Sequence, residues 1–400
     1  MKPNFIIAVT GQSNSQGYGG FYDPSKTEDQ PHERVMGWNN NLKSWDIAAL
    51  YDESLGTTEH KILGSQLFAF HFAKQIAKND PSKIVGIINY GIGGQEIKRW
   101  NKIPGECFFT FCSNQWDDTT FSLKACNDKV LCIDNNNKLH FTRPININFG
   151  WESFNLIDSN SNEILDPLTN IKSYDKKTVY IKNKFYNNFI DISNGNIILS
   201  NTPNSYFEIN NLLYNNSVIT AFKLCNTPNF YLGLANPYYI SGDLFGYSIE
   251  GSSLTIINSV NHNDIFTKHT SMITEALKDA NLVNIDCLCW HQGEADFNKF
   301  GTYYENCLYQ TILQYRNMHF CNYNTPIIVG NTTIILQNDD DWWKNNNKQL
   351  FKLNLDNFKY TACVDTIGVD YNLNDPIHFS SEGHRQLGFL YCEKYIEMKI

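Results

Sequence analysis

The stretch FIIAVTGQSNSQGYGG occupies residues 5–20 and sets the expectation for the fold. Its uninterrupted apolar run, residues 5–9, predicts a buried strand that ends in a turn. Ser13 follows at once, between Gln12 and Asn14. The segment lacks the lysine of a phosphate-binding P-loop, the glycine spacing of a dinucleotide fingerprint and the last glycine of G-x-S-x-G. A polar turn that only closes a strand is the open alternative.

Both ends of the chain alternate strands with helices. Apolar runs predict further strands, and apolar stripes at helical spacing predict the helices between them. The predicted strands are residues 83–89, 284–290, 326–330 and 360–364, and the predicted helices are residues 65–78, 270–280, 303–315 and 383–398. Strands that alternate with helices favour a parallel sheet that is covered on both faces.

Helical periodicity disappears in the middle of the chain, from about residue 105 to residue 263. Short β-prone runs such as TVYIKNKFY, NIILS and VITAFKL alternate there with clusters of Asn, Asp, Gly and Ser, and VLCIDNNNKLHF has the form of a hairpin. This pattern is typical of an antiparallel β-domain. We therefore predict a discontinuous domain of residues 1–104 and 264–400, interrupted by a β-rich insertion of residues 105–263.

Four polar segments stand out along the alternating parts of the chain. They are GQSN (residues 11–14), NYGIGGQEIKRW (89–100), WHQGEAD (290–296) and DPIHFSSEGHRQLG (375–388). Ligands and chemistry in open α/β sheets gather beyond the carboxyl ends of the strands. We therefore expect these segments to meet, and to supply a hydroxyl, a glycine-rich backbone, an uncharged amide and an Asp-x-x-His pair.

These groups meet the requirements of acyl transfer. A serine needs a base within hydrogen-bond reach to act as a nucleophile, and histidine suits that role near neutral pH. We predict Ser13 as the nucleophile, His378 as the base, and Asp375 as the carboxylate that orients the imidazole. Candidate donors to the oxyanion are the backbone N–H groups of Ser13 and Gly94 and the side-chain amide of Gln292.

The four segments together resemble the SGNH (GDSL-type) hydrolase superfamily. The variants GQSN, GGQ-x-I-x-x-W, WHQGE-x-D and D-x-x-H are similar to its sialate O-acetylesterase-like branch, which includes carbohydrate esterase family six. The resemblance covers residues 4–104 and 264–400. It implies a three-layer α/β/α, flavodoxin-like fold around a parallel sheet, and hydrolysis of acetyl esters on sugars without a metal or an organic cofactor.

The same resemblance implies roles for five residues. Ser13, His378 and Asp375 match the catalytic triad, and Gly94 and Gln292 match the oxyanion positions. We expect a further set to brace the site or to line the substrate pocket: Gln12, Asn14, Glu294, Trp100 and His291. Turn chemistry, core packing or a structural hydrogen bond is the alternative for members of this set.

Two further alternatives concern the triad itself. Ser15 is the alternative nucleophile, although it lies beyond the turn. His384 is the alternative base, although it falls inside the predicted closing helix, where capping or solvent exposure is the simpler explanation.

The 400 residues carry a net charge of −9, which argues against nucleic acid or an anionic membrane surface as a partner. No apolar run approaches the length of a membrane span, and no signal peptide is evident. A cytoplasmic location is the default expectation, with non-classical export or packaging in a particle as the alternatives. We interpret the eleven cysteines as reduced, mostly buried thiols, with a zinc site at Cys107 and Cys112 as the competing interpretation.

These observations predict a serine esterase that hydrolyses O-acetyl esters on carbohydrates through an acyl-enzyme. The alternatives are a catalytically inert carbohydrate-binding or structural protein, and a lipid or thioester hydrolase of the same superfamily. The insertion is rich in Tyr, Asn and Phe, with NPYY at residues 236–239, and is expected to bind glycan. Packing or oligomerisation is its alternative role. The sequence does not identify the sugar, the acyl position or the oligomeric state.

Overall fold

The computed structural model describes the chain except for residues 52–54, 56–64, 104, 114–119, 127–128, 134–137, 144–151, 165–170, 215–216, 226, 228, 235–252, 260–262, 297–302, 334–359 and 400. The chain divides into two compact units. Unit 1 comprises Met1–Trp100, Asp264–Phe297 and Thr311–Ile400, and unit 2 comprises Asn101–Asn263 and Asn298–Gln310. The domain assignment made from the sequence, with a glycan-binding insertion of residues 105–263, stays a prediction. Its NPYY motif lies outside the described residues.

Helices and strands are numbered in chain order. The strands are β1 (Phe5–Gly11), β2 (Val35–Asn39), β3 (Ser44–Ile47), β4 (Val85–Gly91), β5 (Phe108–Ser113), β6 (Phe121–Lys124), β7 (Val130–Ile133), β8 (Leu139–Arg143), β9 (Phe154–Asp158), β10 (Thr178–Asn183), β11 (Phe189–Ser193), β12 (Asn196–Ser200), β13 (Phe207–Tyr214), β14 (Ser217–Leu224), β15 (Phe230–Leu234), β16 (Leu254–Asn258), β17 (Cys287–His291), β18 (Ile327–Gly330) and β19 (Thr361–Val364). The helices are α1 (Ser13–Gln16), α2 (Phe68–Asn79), α3 (Asp264–Ala280), α4 (Tyr303–Arg316) and α5 (Ser381–Glu397).

The sheet of unit 1 has seven strands in the order β19-β18-β17-β1-β4-β2-β3. Five neighbouring pairs run parallel, and β3 joins the edge antiparallel to β2. β1 lies at the centre of this sheet, and all seven of its residues are buried. This central position explains the apolar run at residues 5–9, because a central parallel strand is covered on both faces.

The core of unit 1 forms between the sheet and the helices α2 and α5. The stripe that the sequence predicts along α2 is buried: Ala69, Phe72, Ala73, Ile76 and Ala77. Phe5 of β1 meets Tyr395 of α5 edge-on, with ring centroids 5.5 Å apart. α5 begins after Ser380, whose side-chain oxygen accepts a hydrogen bond from the backbone N–H of Gly383 at 3.1 Å. This cap fixes the end of the loop that carries His378.

The sheet of unit 2 is larger and has a different architecture. It contains twelve strands, β5 to β16, and its neighbouring strands pair antiparallel. The longest pairing joins β13 to β14 over eight residue pairs, from Phe207 opposite Leu224 to Tyr214 opposite Ser217. Short connections between consecutive strands favour this arrangement, because antiparallel neighbours need only a turn between them.

The fold class expected from the sequence, a three-layer α/β/α flavodoxin-like fold around a parallel sheet with an inserted β-rich domain, is wrong. The molecule is a mixed α/β protein whose larger sheet has twelve antiparallel strands, and the described residues contain five helices, one of them a single turn. The smaller sheet is itself mixed, since β3 runs antiparallel. The prediction failed because it made the parallel sheet the main structure and the β-prone middle an insertion into it, whereas the middle forms the larger sheet, with twelve strands.

Three further observations concern the described part of the chain. No helix in it is both long and apolar enough to cross a membrane. The eleven cysteines are free thiols, and most of them are buried. Within the same residues, no group of three or more His, Cys, Asp and Glu side chains is arranged to hold a metal ion.

Candidate active site

The carboxyl ends of three neighbouring strands lie side by side in unit 1. Gly11, the last residue of β1, pairs with Gly91 of β4 on one side and with His291 of β17 on the other. Because these strands are parallel, the segments that follow them start from the same edge of the sheet. Ser13 and Gln292 are therefore brought to one place in the fold.

Ser13 is the first residue of α1, a helix of only four residues. Gly11 makes the turn before it, with a φ of +140°, and a Cβ at this position would lie 2.0 Å from the backbone oxygen of His291. Gly17 ends the helix in the left-handed conformation, with a φ of 83°. The two glycines allow the chain to turn tightly at the strand end, and this turn places Ser13 on the wall of a cavity.

Ser13, His378 and Asp375 form a continuous chain of hydrogen bonds. The Oγ of Ser13 lies 2.7 Å from Nε2 of His378, and Nδ1 of His378 lies 2.7 Å from Oδ2 of Asp375. An ionised carboxylate only accepts hydrogen bonds, so Nδ1 carries the proton in this arrangement and Nε2 is the basic nitrogen. The imidazole is therefore oriented to take a proton from the serine hydroxyl.

The loop that carries His378 packs closely on the segment after α1. The rings of Tyr18 and His378 have centroids 4.6 Å apart. Gly19, with a φ of +91°, lies so close to the loop that a Cβ there would stand 2.5 Å from Cβ of His378. A side chain at this position would push the imidazole away from Ser13, so the glycine is needed for the contact between the two segments.

Asn14 connects the nucleophile turn to the histidine loop. Its Nδ2 donates to the backbone oxygen of Ile377 at 3.1 Å, and its Oδ1 accepts from the backbone N–H of Phe379 at 3.1 Å. The same Nδ2 donates to Oε1 of Glu294. Burial raises the pKa of the Glu294 carboxyl, and the hydrogen bond from Asn14 opposes that rise. One side chain thus holds the backbone on both sides of His378.

Gln12 and Gln292 belong to one hydrogen-bond network, in which Gln12 lines the cavity and Gln292 lies behind it. The Nε2 of Gln292 has three acceptors within reach: Oε1 of Gln12 at 3.2 Å, the backbone oxygen of Gln95 at 3.1 Å and Oδ2 of Asp296 at 2.5 Å. Oε1 of Gln12 also accepts from the backbone N–H of Ala295 at 3.2 Å. Gln292 is fully buried and does not line the cavity. Its role as an oxyanion donor stays a prediction.

The turn after β4 passes next to Ser13. A Cβ at Gly93 would lie 3.7 Å from Cβ of Ser13, and both Gly93 and Gly94 line the cavity. Gly94 has a φ of +68°, and a Cβ there would meet no atom within 4 Å, so this residue borders open space. The structure brings Gly94 to the cavity, and its role as an oxyanion donor stays a prediction.

The alternative nucleophile and the alternative base are both engaged elsewhere. Ser15 is buried, and its Oγ donates to the backbone oxygen of Gln12 at 2.6 Å. His384 lies inside α5, where its Nε2 is 3.1 Å from the backbone oxygen of Tyr18, and burial lowers its pKa to about 4. Neither side chain lines the cavity.

His291 and Trp100 have structural positions. The Nδ1 of His291 lies 3.1 Å from the hydroxyl of Tyr391, and burial lowers the pKa of His291 to about 3. The indole N–H of Trp100 donates to Oγ1 of Thr10 at 3.0 Å, and its ring packs edge-on against Trp290. Neither residue reaches the cavity. Of the residues expected to brace the site or line the pocket, Gln12 and Glu294 do border the cavity, and Asn14 braces the loop.

The cavity has a volume of about 670 Å³ and includes residues that the sequence did not indicate. Gln16, Tyr18, Gly93, Ala295 and Ile377 contribute to its wall. Gln16 follows Ser13 by three residues in α1, and side chains three apart lie on one face of a helix. The spacing could have indicated that Gln16 lines the cavity with Ser13, but only if residues 13–16 were already known to be helical.

Comparisons with known proteins show which family the chain matches. A model of the family described as carbohydrate esterase, sialic acid-specific acetylesterase, matches residues 3–126 and 247–397. Among solved structures, the chain is similar to a protein from Arabidopsis thaliana (14% identity, covering 99% of this chain and 98% of that chain, TM-score 0.49). It is also similar to NanS, with 12% identity over 99% of this chain and 98% of that chain and a TM-score of 0.41. A third similar structure is a carbohydrate acetylesterase from Xanthomonas citri, with 10% identity over 98% of this chain and 55% of that chain and a TM-score of 0.42. No curated protein matches the chain.

Proposed function

Because this chain belongs to a family of carbohydrate esterases, the sialic acid-specific acetylesterases, we propose that it is a serine esterase that forms an acyl-enzyme on Ser13. Family membership supports carbohydrate acetylesterase activity and acetylated carbohydrates as its substrates. The serine mechanism is the finer part of the proposal, and it rests on the geometry of the site.

The observation that carries the mechanism is the hydrogen-bond chain from Ser13 through His378 to Asp375, with both donor–acceptor distances at 2.7 Å. A serine hydroxyl is a weak nucleophile until a base takes its proton. His378 is within reach of that proton, and Asp375 stabilises the imidazolium that results. All three residues border the same cavity, so an ester placed there would meet the activated hydroxyl.

The proposed reaction has two halves. In the first, Oγ of Ser13 attacks the acetyl carbonyl carbon, its proton moves to Nε2 of His378, and the same nitrogen then protonates the departing sugar oxygen. In the second, water attacks the acetyl-enzyme, His378 takes a proton from that water, and Ser13 leaves with a proton as acetate is released. The backbone N–H groups of Ser13 and Gly94 are the proposed donors to the oxyanion of both halves.

The test compares wild type with Ser13→Ala and Ser15→Ala on p-nitrophenyl acetate and on a panel of acetylated glycans that includes sialic acids and xylan. We expect Ser13→Ala to lose essentially all enzyme-dependent acetate release, and Ser15→Ala to keep it within a few-fold. Equal release by wild type and Ser13→Ala would favour an inert scaffold. The ratio of rates among the glycans would identify the sugar.

A second assay addresses the rival lipid or thioester hydrolase. A long acyl chain needs a deep apolar channel, so the rates for a series of p-nitrophenyl esters report the size of the acyl pocket. We expect the acetyl ester to react fastest. Fastest turnover of the hexanoyl or longer esters would contradict the acetyl assignment while leaving the serine mechanism intact.

A further inference from the structure

Tyr18 presents an exposed aromatic ring at the candidate active-site cavity. The residue is 46% exposed and lines the cavity together with Ser13 and His378. A single exposed aromatic residue is common on protein surfaces and needs no explanation by itself. Tyr18 differs because its ring contacts the imidazole of the candidate catalytic base, with ring centroids 4.6 Å apart and planes tilted by 57°. Its exposed surface is therefore within reach of a substrate that reacts at Ser13.

The backbone around Tyr18 is held in place before a substrate binds. Its N–H donates to the backbone oxygen of Ser13 at 3.0 Å. Gly17 and Gly19, on either side, have left-handed φ values of +83° and +91°. A Cβ at Gly17 would lie 1.4 Å from a backbone oxygen, and a Cβ at Gly19 would lie 2.5 Å from Cβ of His378. This close packing and the contact with the imidazole fix the ring near both catalytic side chains, so less conformational freedom is lost when a substrate binds.

The proposed reaction places the alcohol half of the ester next to this ring. Nε2 of His378 takes the proton of Ser13 and then gives it to the departing oxygen, so that oxygen must come within hydrogen-bond reach of the imidazole. The carbonyl oxygen belongs instead with the proposed N–H donors of Ser13 and Gly94. The alcohol attached to the departing oxygen therefore lies beside the side chains that surround the imidazole, and Tyr18 is one of them.

A second exposed apolar side chain belongs to the loop that carries the base. Ile377 directly precedes His378, is 39% exposed and also lines the cavity. Its backbone oxygen accepts a hydrogen bond from Asn14 at 3.1 Å, so its place in the loop is fixed as well. A sugar ring has an apolar face of C–H groups bordered by hydroxyls, and a flat aromatic ring with a polar tip suits that face. Tyr18 and Ile377 thus offer apolar surface where the alcohol half of the ester lies.

We propose that the exposed ring of Tyr18 is the surface on which the acetylated sugar ring of the substrate stacks, with Ile377 beside it. The stacked sugar is the alcohol half of the ester, so this contact favours acetates of cyclic sugars over acetates of small acyclic alcohols. The proposal rests on the proposed esterase function and adds the residue that recognises the sugar. The bonds that Ser13 and His378 form and break stay the same.

The first test compares kcat/KM for two kinds of acetate ester in wild type, Tyr18→Ala and Tyr18→Phe. The sugar ester is acetylated xylobiose or 4-O-acetyl-N-acetylneuraminic acid, whichever wild type hydrolyses faster, and the ring-free ester is ethyl acetate. p-Nitrophenyl acetate is unsuitable here because its leaving group is itself an aromatic ring. We expect Tyr18→Ala to lower kcat/KM for the sugar ester by about 10-fold, mainly through KM, and to keep the value for ethyl acetate within about 2-fold. Tyr18→Phe should stay close to wild type for both esters.

Two further variants separate stacking from other roles of the residue. Tyr18→Leu keeps an apolar side chain against the imidazole of His378 but has no flat ring. It should lose activity on the sugar ester as Tyr18→Ala does and keep its activity on ethyl acetate. The matched control is Tyr323→Ala, at a tyrosine that is 65% exposed, packs edge-on against Tyr360 and does not line the cavity. This control should leave both esters unchanged.

A binding measurement gives a readout that does not require turnover. In the Ser13→Ala background, titration calorimetry measures the Kd of the intact sugar ester. The addition of Tyr18→Ala should raise this Kd by about 10-fold, because the stacking surface is removed. Failure of the proposed esterase function is recognised separately, since Ser13→Ala would then release acetate at the wild-type rate.

Three results overturn the proposal. An equal loss on both esters in Tyr18→Ala and Tyr18→Leu would assign the ring to positioning the imidazole of His378. A loss on the sugar ester in Tyr18→Phe as large as that in Tyr18→Ala would assign recognition to the hydroxyl. An unchanged kcat/KM or Kd for the sugar ester in Tyr18→Ala would place the sugar elsewhere.

Discussion

The side-chain amide of Asn14 is hydrogen-bonded to the backbone on both sides of His378, through the oxygen of Ile377 and the N–H of Phe379, each at 3.1 Å. These partners lie 363 and 365 residues away along the chain. Glu294 accepts a further hydrogen bond from the same amide and fixes its orientation. The distance between Ser13 and His378 therefore depends on a residue that need not touch the substrate.

Asn14→Ala removes this connection and is expected to lower kcat by about 10²-fold, because a misplacement of the catalytic base by about 1 Å has an effect of that size. KM should change little. Asn4→Ala is the matched control, since Asn4 also uses its side chain to hold backbone groups, at Ser82 and Ile84, but on the surface. Steady-state kinetics with p-nitrophenyl acetate measure both. Unchanged kcat in Asn14→Ala would show that the histidine loop holds its place without the amide.

Two glycines near the site should differ sharply in their tolerance of alanine. A Cβ at Gly11 would lie 2.0 Å from backbone atoms that cannot move aside, whereas a Cβ at Gly94 would meet nothing within 4 Å. We expect Gly11→Ala to lower the free energy of unfolding by about 3 kcal/mol. Gly94→Ala should lower it by about 1 kcal/mol, the cost of a left-handed alanine. Urea unfolding checks both, and equal losses would contradict the close approach of β1 to β17.

A buried ion pair joins α5 to the segment between α1 and β2. Asp29 is fully buried and accepts from Nε and Nη2 of Arg385 at 2.8 and 2.7 Å, and also from the side chain of Gln66. Burial alone would raise the pKa of Asp29, but the hydrogen bonds from Arg385, Asp23 and Gln66 bring it below the usual value. The ionised carboxylate is therefore the form that stabilises the fold.

Asp29→Asn should lower the free energy of unfolding at pH 7 by about 3 kcal/mol, because it removes the buried carboxylate that pairs with Arg385 and leaves the guanidinium only the exposed carboxylate of Glu382. Since the pKa of Asp29 is lower when folded, its contribution is present above about pH 4 and is lost as the pH falls through the folded pKa. The difference between wild type and variant should shrink below pH 4. Asp279→Asn, at a partly exposed site, should change the stability by less than about 0.5 kcal/mol. A constant difference from pH 7 to pH 3 would show that ionisation of Asp29 is not what stabilises the fold.

The lowered pKa of His384 leads to a second, separate effect of pH on stability. Burial lowers its pKa to about 4, whereas an unfolded histidine titrates near 6.5. The unfolded chain therefore binds the proton first, so the contribution of His384 is present above about pH 6.5 and is lost as the pH falls towards 4. Between pH 7 and pH 5, wild type should lose about 2 kcal/mol more stability than His384→Gln. Urea unfolding at the two pH values measures the loss. Equal losses in wild type and His384→Gln would show that burial does not lower the pKa of His384.

The sequence predicts the local parts of the site better than the fold as a whole. The apolar run at residues 5–9 is the core of β1, and the family match confirms the resemblance to sialate O-acetylesterases that the four polar segments indicated. Asp375 and His378 are three residues apart, so their contact is a local property of one loop. The sequence indicated a β-rich middle but not that it forms the larger sheet of twelve strands, because a set of short β-prone runs does not reveal how many strands join one sheet.

Long-range contacts explain the rest of the failure. β2 and β3 have short sequences that mix apolar and polar residues, VMGWN and SWDI. They join the sheet because β2 pairs with β4 and β3 pairs with β2. Gln16 and Gln292 are chemically identical, and only their positions in the fold decide which of them lines the cavity. The partners of Gln292 include Gln12, 280 residues earlier in the chain. No local pattern carries that information.

The most direct test of the central claim is the site of modification by a fluorophosphonate, which forms a stable phosphonyl ester with an activated serine. We expect one phosphonyl group per chain, located on Ser13 by fragmentation of the modified peptide. Ser15→Ala should be modified at the wild-type rate, Ser13→Ala should not be modified, and His378→Ala should react far more slowly. Modification of Ser15, or modification of Ser13→Ala at the wild-type rate, would contradict the assignment of Ser13 as the nucleophile.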